Sequence, residues 1–110
     1  IQGGINSSVT EHFGRQGAHF AWIVGEALRR GVAVVEPTQK GQDAYVKTYN
    51  EIKLDVSEMT ARCPPGYFNN EGEGNKWALF PGWGYGWDHF EAMLAEWRAK
   101  GDMEGMMLSN

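Results

Sequence analysis

Hydrophobic and polar positions alternate along this chain in three stretches of helical period, separated by extended or glycine-rich segments. From Ser8 onward the apolar residues stand at Val9, Phe13, Phe20, Ile23 and Ala27, a 4-3-4-3-4 series whose one polar member is Gln16. That spacing keeps one helix face apolar. Ser8-Val9-Thr10-Glu11 fits a capping box, with Ser8 as N-cap and the Glu11 side chain reaching back to the Ser8 backbone. Arg29 and Arg30 fall in the last turn, where cations suit the helix dipole, and Gly31 fits the left-handed cap. The pattern predicts a helix over about 8–30, roughly 33 Å long at 1.5 Å per residue. A helix of that length in so short a chain implies packing against further protein.

A β-branched run, Val32-Ala33-Val34-Val35, follows, and Glu36-Pro37-Thr38 opens a second helix. Its apolar positions are Tyr45, Tyr49, Ile52, Val56 and Met59, and Gly41 weakens its first turn. Residues 61–77, ARCPPGYFNNEGEGNKW, have neither helical nor strand period. Trp77–Phe80 reads as a short strand and Pro81–Gly86 as tight turns. A third helix is predicted from about Asp88 to Lys100, with Phe90, Met93, Leu94 and Trp97 on one face and Gly101 as its cap. Met103–Leu108 reads as a terminal strand. The fold class is therefore an α-rich α+β arrangement: two long helices, a third C-terminal helix and short strands.

Composition narrows the functional classes. The 110 residues make one domain at most. A net charge of -4 disfavours nucleic acid, which calls for a basic stripe. No apolar run approaches the roughly 20 residues of a membrane span. One cysteine excludes an internal disulfide framework and fits a reducing, cytoplasmic setting. Fifteen glycines and 13% aromatic residues indicate many tight turns around large rings. The chain starts at Ile1 and runs at once into a helix cap, which reads as a piece of something longer.

Few side chains propose chemistry. His12 and His19 lie seven apart on one helix face, too far for two ligands of one metal at the usual i, i+4 spacing. His19 reads as a packed helix residue; His12 either packs likewise or faces a ligand at the helix N-terminus. Arg62 beside Cys63 favours the thiolate, but no base is placed for a nucleophile, and a plain loop cysteine is the simpler reading. GGINSS, before the first helix, leaves backbone N–H groups that either serve ordinary capping by Ser8 or receive an anion or electron-rich carbonyl. In the run Pro81–Trp87, burial of Trp83 and Trp87 outweighs stacking on a sugar. Glu71 and Glu73 read as solvated loop residues.

Taken together, four stretches and the tail resemble the C-terminal part of the flavin-dependent Baeyer–Villiger monooxygenases. They are QGGINSSVTEHF, AHFAWIVGEALRRGV, DAYVKTYNEI and MTARCPPGYFNNEGE, followed by FEAMLAEWRAKGDMEGMML. The loop is close to the CTPGYYNNEGK form of one branch, with Pro64 where Thr is usual. The family's two GxGxxG fingerprints and its FxGxxxHxxxW signature are absent, and its catalytic Arg lies upstream.

The resemblance implies a Rossmann-like flavoprotein with two dinucleotide-binding domains, completed by this segment. Residues 1–60 would be the last loop and helices of the FAD-binding domain, and 61–110 a cofactor and substrate loop with a helix–strand tail. It implies FAD and NADP(H), and oxygen insertion into a ketone through a peroxyflavin to give an ester or lactone. Asn6, Ser7, Ser8, Val9 and His12 would lie on the FAD side. Arg62, Cys63, Tyr67, Asn69 and Asn70 would belong to the loop over NADP and substrate, with Cys63 where some members carry a cofactor-contacting Trp. The segment alone would be inactive, with the remainder of the enzyme as its partner and exposed apolar faces that favour self-association. Two rival readings are a flavin monooxygenase that oxidises N or S, and a small non-catalytic domain binding a ligand through its Gly-aromatic surface.

Overall fold

The computed structural model describes residues 8–55, 58, 61–66, 71–72 and 82–110. Among these the order is α1 (Val9–Arg30), β1 (Val34–Pro37), α2 (Gln39–Ile52), α3 (Trp87–Lys100) and β2 (Met106–Ser109). The expected strand at Trp77–Phe80 lies outside the described residues.

α1 begins and ends where its local chemistry places it. The Ser8 hydroxyl accepts the Glu11 N–H at 3.3 Å. The other half of the capping box is not formed that way, because Arg15 holds the Glu11 carboxylate at 2.5 Å. At the far end Gly31 adopts φ 67, and the N–H of Val32 returns to the Ala27 carbonyl at 3.0 Å, closing a Schellman-type cap.

The apolar series of α1 does not form a single buried face. Ala27 is buried, but Phe13 and Phe20 are 48% and 64% exposed. The side toward the rest of the chain carries His12, Gln16, His19, Ile23, Glu26 and Arg30 instead. The opposite side holds Phe13, Gly17, Phe20, Ala21, Val24 and Leu28, and no charged residue falls there over about 160° of the circumference at 100° per residue. Gly14, Gly17 and Gly25 inside this helix each cost about 1 kcal/mol relative to Ala, yet a Cβ on any of them would meet nothing within 4 Å.

β1 and β2 pair antiparallel, with Val34 opposite Ser109 and Pro37 opposite Met106. The turn before β2 is tight: Met103 takes φ 56, Gly105 takes φ 84, and Met106 N–H returns to the Met103 carbonyl at 3.0 Å. The Gly105 carbonyl then accepts from the Thr38 N–H at 2.8 Å and the Thr38 hydroxyl at 3.0 Å. Gly41 is what lets α2 start there, since a Cβ on it would sit 2.7 Å from that same carbonyl oxygen.

α2 stops at Ile52 rather than running through Val56 and Met59, which themselves lie outside the described residues. The turn at Gly84 explains the stop. It lies so close that a Cβ on Gly84 would fall 1.5 Å from the Ile52 carbonyl oxygen, the acceptor a continuing helix would need. Above that turn sits the core: Tyr49, Trp83 and Phe90, with Tyr45, Ile52, Trp87, Met93 and Leu94 packed around them. α3 starts one residue earlier than the sequence pattern indicates and ends at Gly101 with φ 68, as expected.

α1 and α3 run side by side in the same direction. His12 stacks on Trp87 with centroids 3.8 Å apart, Arg15 pairs with Glu91 at 2.9 Å, and Trp22 meets Trp97 edge-on at 5.6 Å. Arg30 closes the row by donating to the Gly101 carbonyl at the end of α3. The described residues have a radius of gyration of 16.3 Å, above the roughly 13 Å of a self-contained globule of this length. None of their helices is long and apolar enough to cross a membrane.

Candidate functional site

The start of α1 is the first place where sequence points to chemistry. Asn6 and Ser7 lie outside the described residues. Ser8 spends its hydroxyl on the Glu11 N–H and on the Thr10 hydroxyl at 3.1 Å. The N–H of His12 already joins the helix through the Ser8 carbonyl at 3.2 Å. The positive end of a 22-residue helix is therefore capped but not closed: Ser8 satisfies one of its unpaired donors. The Glu11 carboxylate in that first turn is neutralised by Arg15, so it does not cancel the dipole.

His12 is only 4% exposed, with its ring flat on Trp87 at 11°. The helix thus holds this imidazole against α3. His19 is held separately: its Nδ1 lies 3.0 Å from Arg98 and its ring packs against Trp97 at 5.4 Å. Burial, and then the Arg98 charge, push the His19 pKa down. Among the described residues no three His, Cys, Asp or Glu side chains gather as metal ligands.

The loop is the second place. Cys63 is exposed, and Arg62 beside it is ion-paired with Glu58 one helical turn earlier. The two ends of the CPPGYFNNEG stretch are pinned together. The Glu71 N–H donates to the Gly66 carbonyl at 2.9 Å, and a Cβ added to Gly72, at φ 93, would lie 3.6 Å from the Pro65 ring. Tyr67, Asn69 and Asn70, between those ends, lie outside the described residues.

In the aromatic run Trp83 is buried and Trp87 half-buried, while Tyr85 is exposed. Trp83 is 5% exposed, stacks on Tyr45 at 5.7 Å, and donates its Nε1–H to His89 Nδ1 at 3.0 Å. That acceptor role leaves the proton of a neutral His89 on Nε2. The part played by His89 was not evident from sequence, where its place six residues after Trp83 was the available signal; in the structure Tyr85 also meets it edge-on at 5.0 Å.

Two concavities lie among the described residues. One, about 720 Å³, lies between the start of α2, α3 and the turn before β2, with Lys40, Tyr45, Met93, Trp97 and Glu104 on its walls. Burial, and then Tyr49, push the Tyr45 phenol up to about 12. The space has the size of a small-molecule site. The other, about 500 Å³, is an apolar groove between Phe20, Val24 and Leu28 of α1 and Val35 and Met106 of the sheet.

Comparison with known proteins agrees with the family resemblance. A Baeyer–Villiger monooxygenase of Streptomyces coelicolor is 35% identical over 89% of this chain and 16% of its own length. A pentalenolactone D synthase of Streptomyces exfoliatus is 30% identical over 98% of the chain and 19% of its own length. An FAD-binding monooxygenase of Hypomyces subiculosus is 35% identical over 76% of the chain and 14% of its own length. No family model matches, and no solved structure matches. The chain spans less than a fifth of the length of these relatives. Matched along almost its whole length by proteins of one kind, the chain belongs to the Baeyer–Villiger and FAD-binding monooxygenases, as a segment of their fold.

Proposed function

We propose that this chain is part of a longer FAD- and NADP(H)-dependent monooxygenase that inserts one oxygen atom from O2 into a ketone, giving an ester or lactone. The observation that carries the reading is the similarity, over 89% of the chain, to a protein named for that class of chemistry, a Baeyer–Villiger monooxygenase. The segment alone carries no catalytic group and is inactive. Residues 1–60 supply the last loop and helices of the FAD-binding domain, and 61–110 the cofactor and substrate loop with its tail. α1–α3 packing and the β1–β2 pairing bind the two parts to each other.

The residues present fit a flavin at the start of α1. Bound there, the flavin supplies the redox and oxygen-transfer chemistry. The chain's own share is electrostatic. The backbone N–H groups at Asn6–Val9 and the positive helix end receive an electron-rich ring edge and stabilise negative charge on it. Ser8 holds the helix end in shape, and His12 braces it from behind against Trp87. In the second half, Arg62, Cys63, Tyr67, Asn69 and Asn70 form the face of the loop toward NADP and substrate. The hydrogen bond from the Glu71 N–H to the Gly66 carbonyl ties the two ends of that loop together.

The test is direct. The longer polypeptide is purified, its FAD content measured, and NADPH and O2 consumption followed with cyclic and open-chain ketones, with products identified by mass. Ester or lactone formation is expected. Flavin-dependent oxidation of amines or sulfides with no ketone product would replace this reading by N- or S-oxidation. The 110-residue chain alone is expected to bind no FAD; a stoichiometric yellow protein from it would contradict the proposal.

A further inference from the structure

We infer that the concavity between the start of α2, α3 and the turn before β2 is a binding site for a flat apolar molecule carrying a single carboxylate, an aromatic or alicyclic monocarboxylic acid. The inference is independent of the reaction proposed above.

Three observations carry it. The first is size: about 720 Å³ falls within the roughly 300–1,000 Å³ of small-molecule sites. The second is that the ring walls are already fixed. The Trp97 indole donates its Nε1–H to the Glu104 carbonyl at 2.9 Å and meets Trp22 edge-on at 5.6 Å. The Tyr45 ring is stacked on Trp83 at 5.7 Å. Met93 adds a polarisable thioether to the same wall. Rings held in place before a ligand arrives lower the ordering cost of binding, and a flat apolar body is what they receive best.

The third is charge. Several polar groups of the wall are spent within the chain: the Gly105 carbonyl accepts from both the Thr38 N–H and the Thr38 hydroxyl, and the Trp97 donor is taken. Of the two charged side chains there, Glu104 is paired with Lys100 at 3.3 Å, while Lys40 has no ion pair among the described residues. The first turn of α2 holds no acidic residue, and Asp43, one turn on, accepts from Gln39 at 2.7 Å. The wall therefore presents one uncompensated positive charge, a compact ammonium that attracts a single anionic group. One such charge beside an apolar space selects a monocarboxylate over a dianion.

The experiment uses the longer polypeptide and two probes of one shape, naphthoate and the neutral naphthylmethanol substituted at the same ring position. Each is titrated by isothermal calorimetry into the wild type, Lys40→Met and Ala44→Trp. Both substitutions fall on exposed positions of α2 that line the space, and a thermal scan of each variant checks its fold. Saturable binding of naphthoate is expected, one molecule per chain. Lys40→Met is expected to weaken naphthoate by about two- to fivefold, the measure of one exposed charge pair, and to leave the alcohol unchanged. Ala44→Trp, which fills the space, is expected to abolish saturable binding of both probes. Absence of saturable naphthoate binding to the wild type overturns the inference. So does binding that Lys40→Met leaves unchanged, because the charge then lies elsewhere, or binding that survives Ala44→Trp, because the ring then sits in another site. FAD content and ketone oxidation, measured on the same wild-type protein, judge the proposed reaction and do not enter this result.

Discussion

The hydroxyl of Tyr49 offers the most exacting check on the core. Tyr49 is fully buried beneath Trp83 and Phe90, and its hydroxyl has no hydrogen-bond partner among the described residues. A buried hydroxyl left unsatisfied costs about 1–3 kcal/mol of desolvation. Tyr49→Phe removes that oxygen and keeps the ring, so its packing against the neighbouring aromatic residues is retained. The substitution is therefore expected to stabilise the chain by about 1 kcal/mol or more. For a domain near this size, 1 kcal/mol moves the thermal midpoint by roughly 4–8 °C. Circular dichroism during heating and in urea reads the effect, and an unchanged urea slope confirms that the same surface is still buried. A midpoint that falls on making Tyr49→Phe would refute the reasoning, because it would mean that the hydroxyl is bonded in the native state.

Three further outcomes are expected. Gly41→Ala should destabilise by about 1–3 kcal/mol through crowding of the Gly105 carbonyl, although helix propensity alone favours alanine by about 1 kcal/mol; the sign of the change in thermal midpoint decides which effect wins. Glu26 is held at about 2 by Arg29 and then Arg30, so its contribution is present above its unfolded value near 4.5 and is lost as pH falls toward 2; a scan of melting midpoint against pH should show that loss, and Glu26→Gln should flatten it. Tyr45 is raised to about 12, so its contribution is present below pH 10 and is lost between about 10 and 12; Tyr45→Phe should remove that alkaline loss, which the same scan reads.

Local signals were legible where one residue decides the geometry. Ser8, Thr38, Gly31 and Gly101 mark helix ends, and all four stand there. The period of α3 correctly gave Phe90 as its buried position. What could not be read was set by distant partners. The helical period of α1 is compatible with burial on either of two sides, and only the position of α3 shows that His12, and not Phe13, faces inward. The stop at Ile52 has no glycine or proline of its own; it comes from a turn more than thirty residues later in the chain. Gly41 looked like a weakness in α2 and is instead the condition for α2 to meet Gly105. The ends of the site loop were legible from its prolines and glycines, but the Gly66–Glu71 hydrogen bond between them was not.

The row of contacts between α1 and α3 has a consequence for biosynthesis. Arg15 and Glu91 are 76 residues apart in sequence, and β1 pairs with the last strand of the chain. Ribosomes add about 5–20 residues per second. After α1 emerges, roughly 4–15 s pass at that rate before α3 exists to receive its inner side. Throughout that interval Trp22 and Ile23 have no cover, and β1 has no second strand. A ribosome stall or a premature stop within α3 would leave the inner side of the first helix bare, making completion of α3 decisive for quality control of the product.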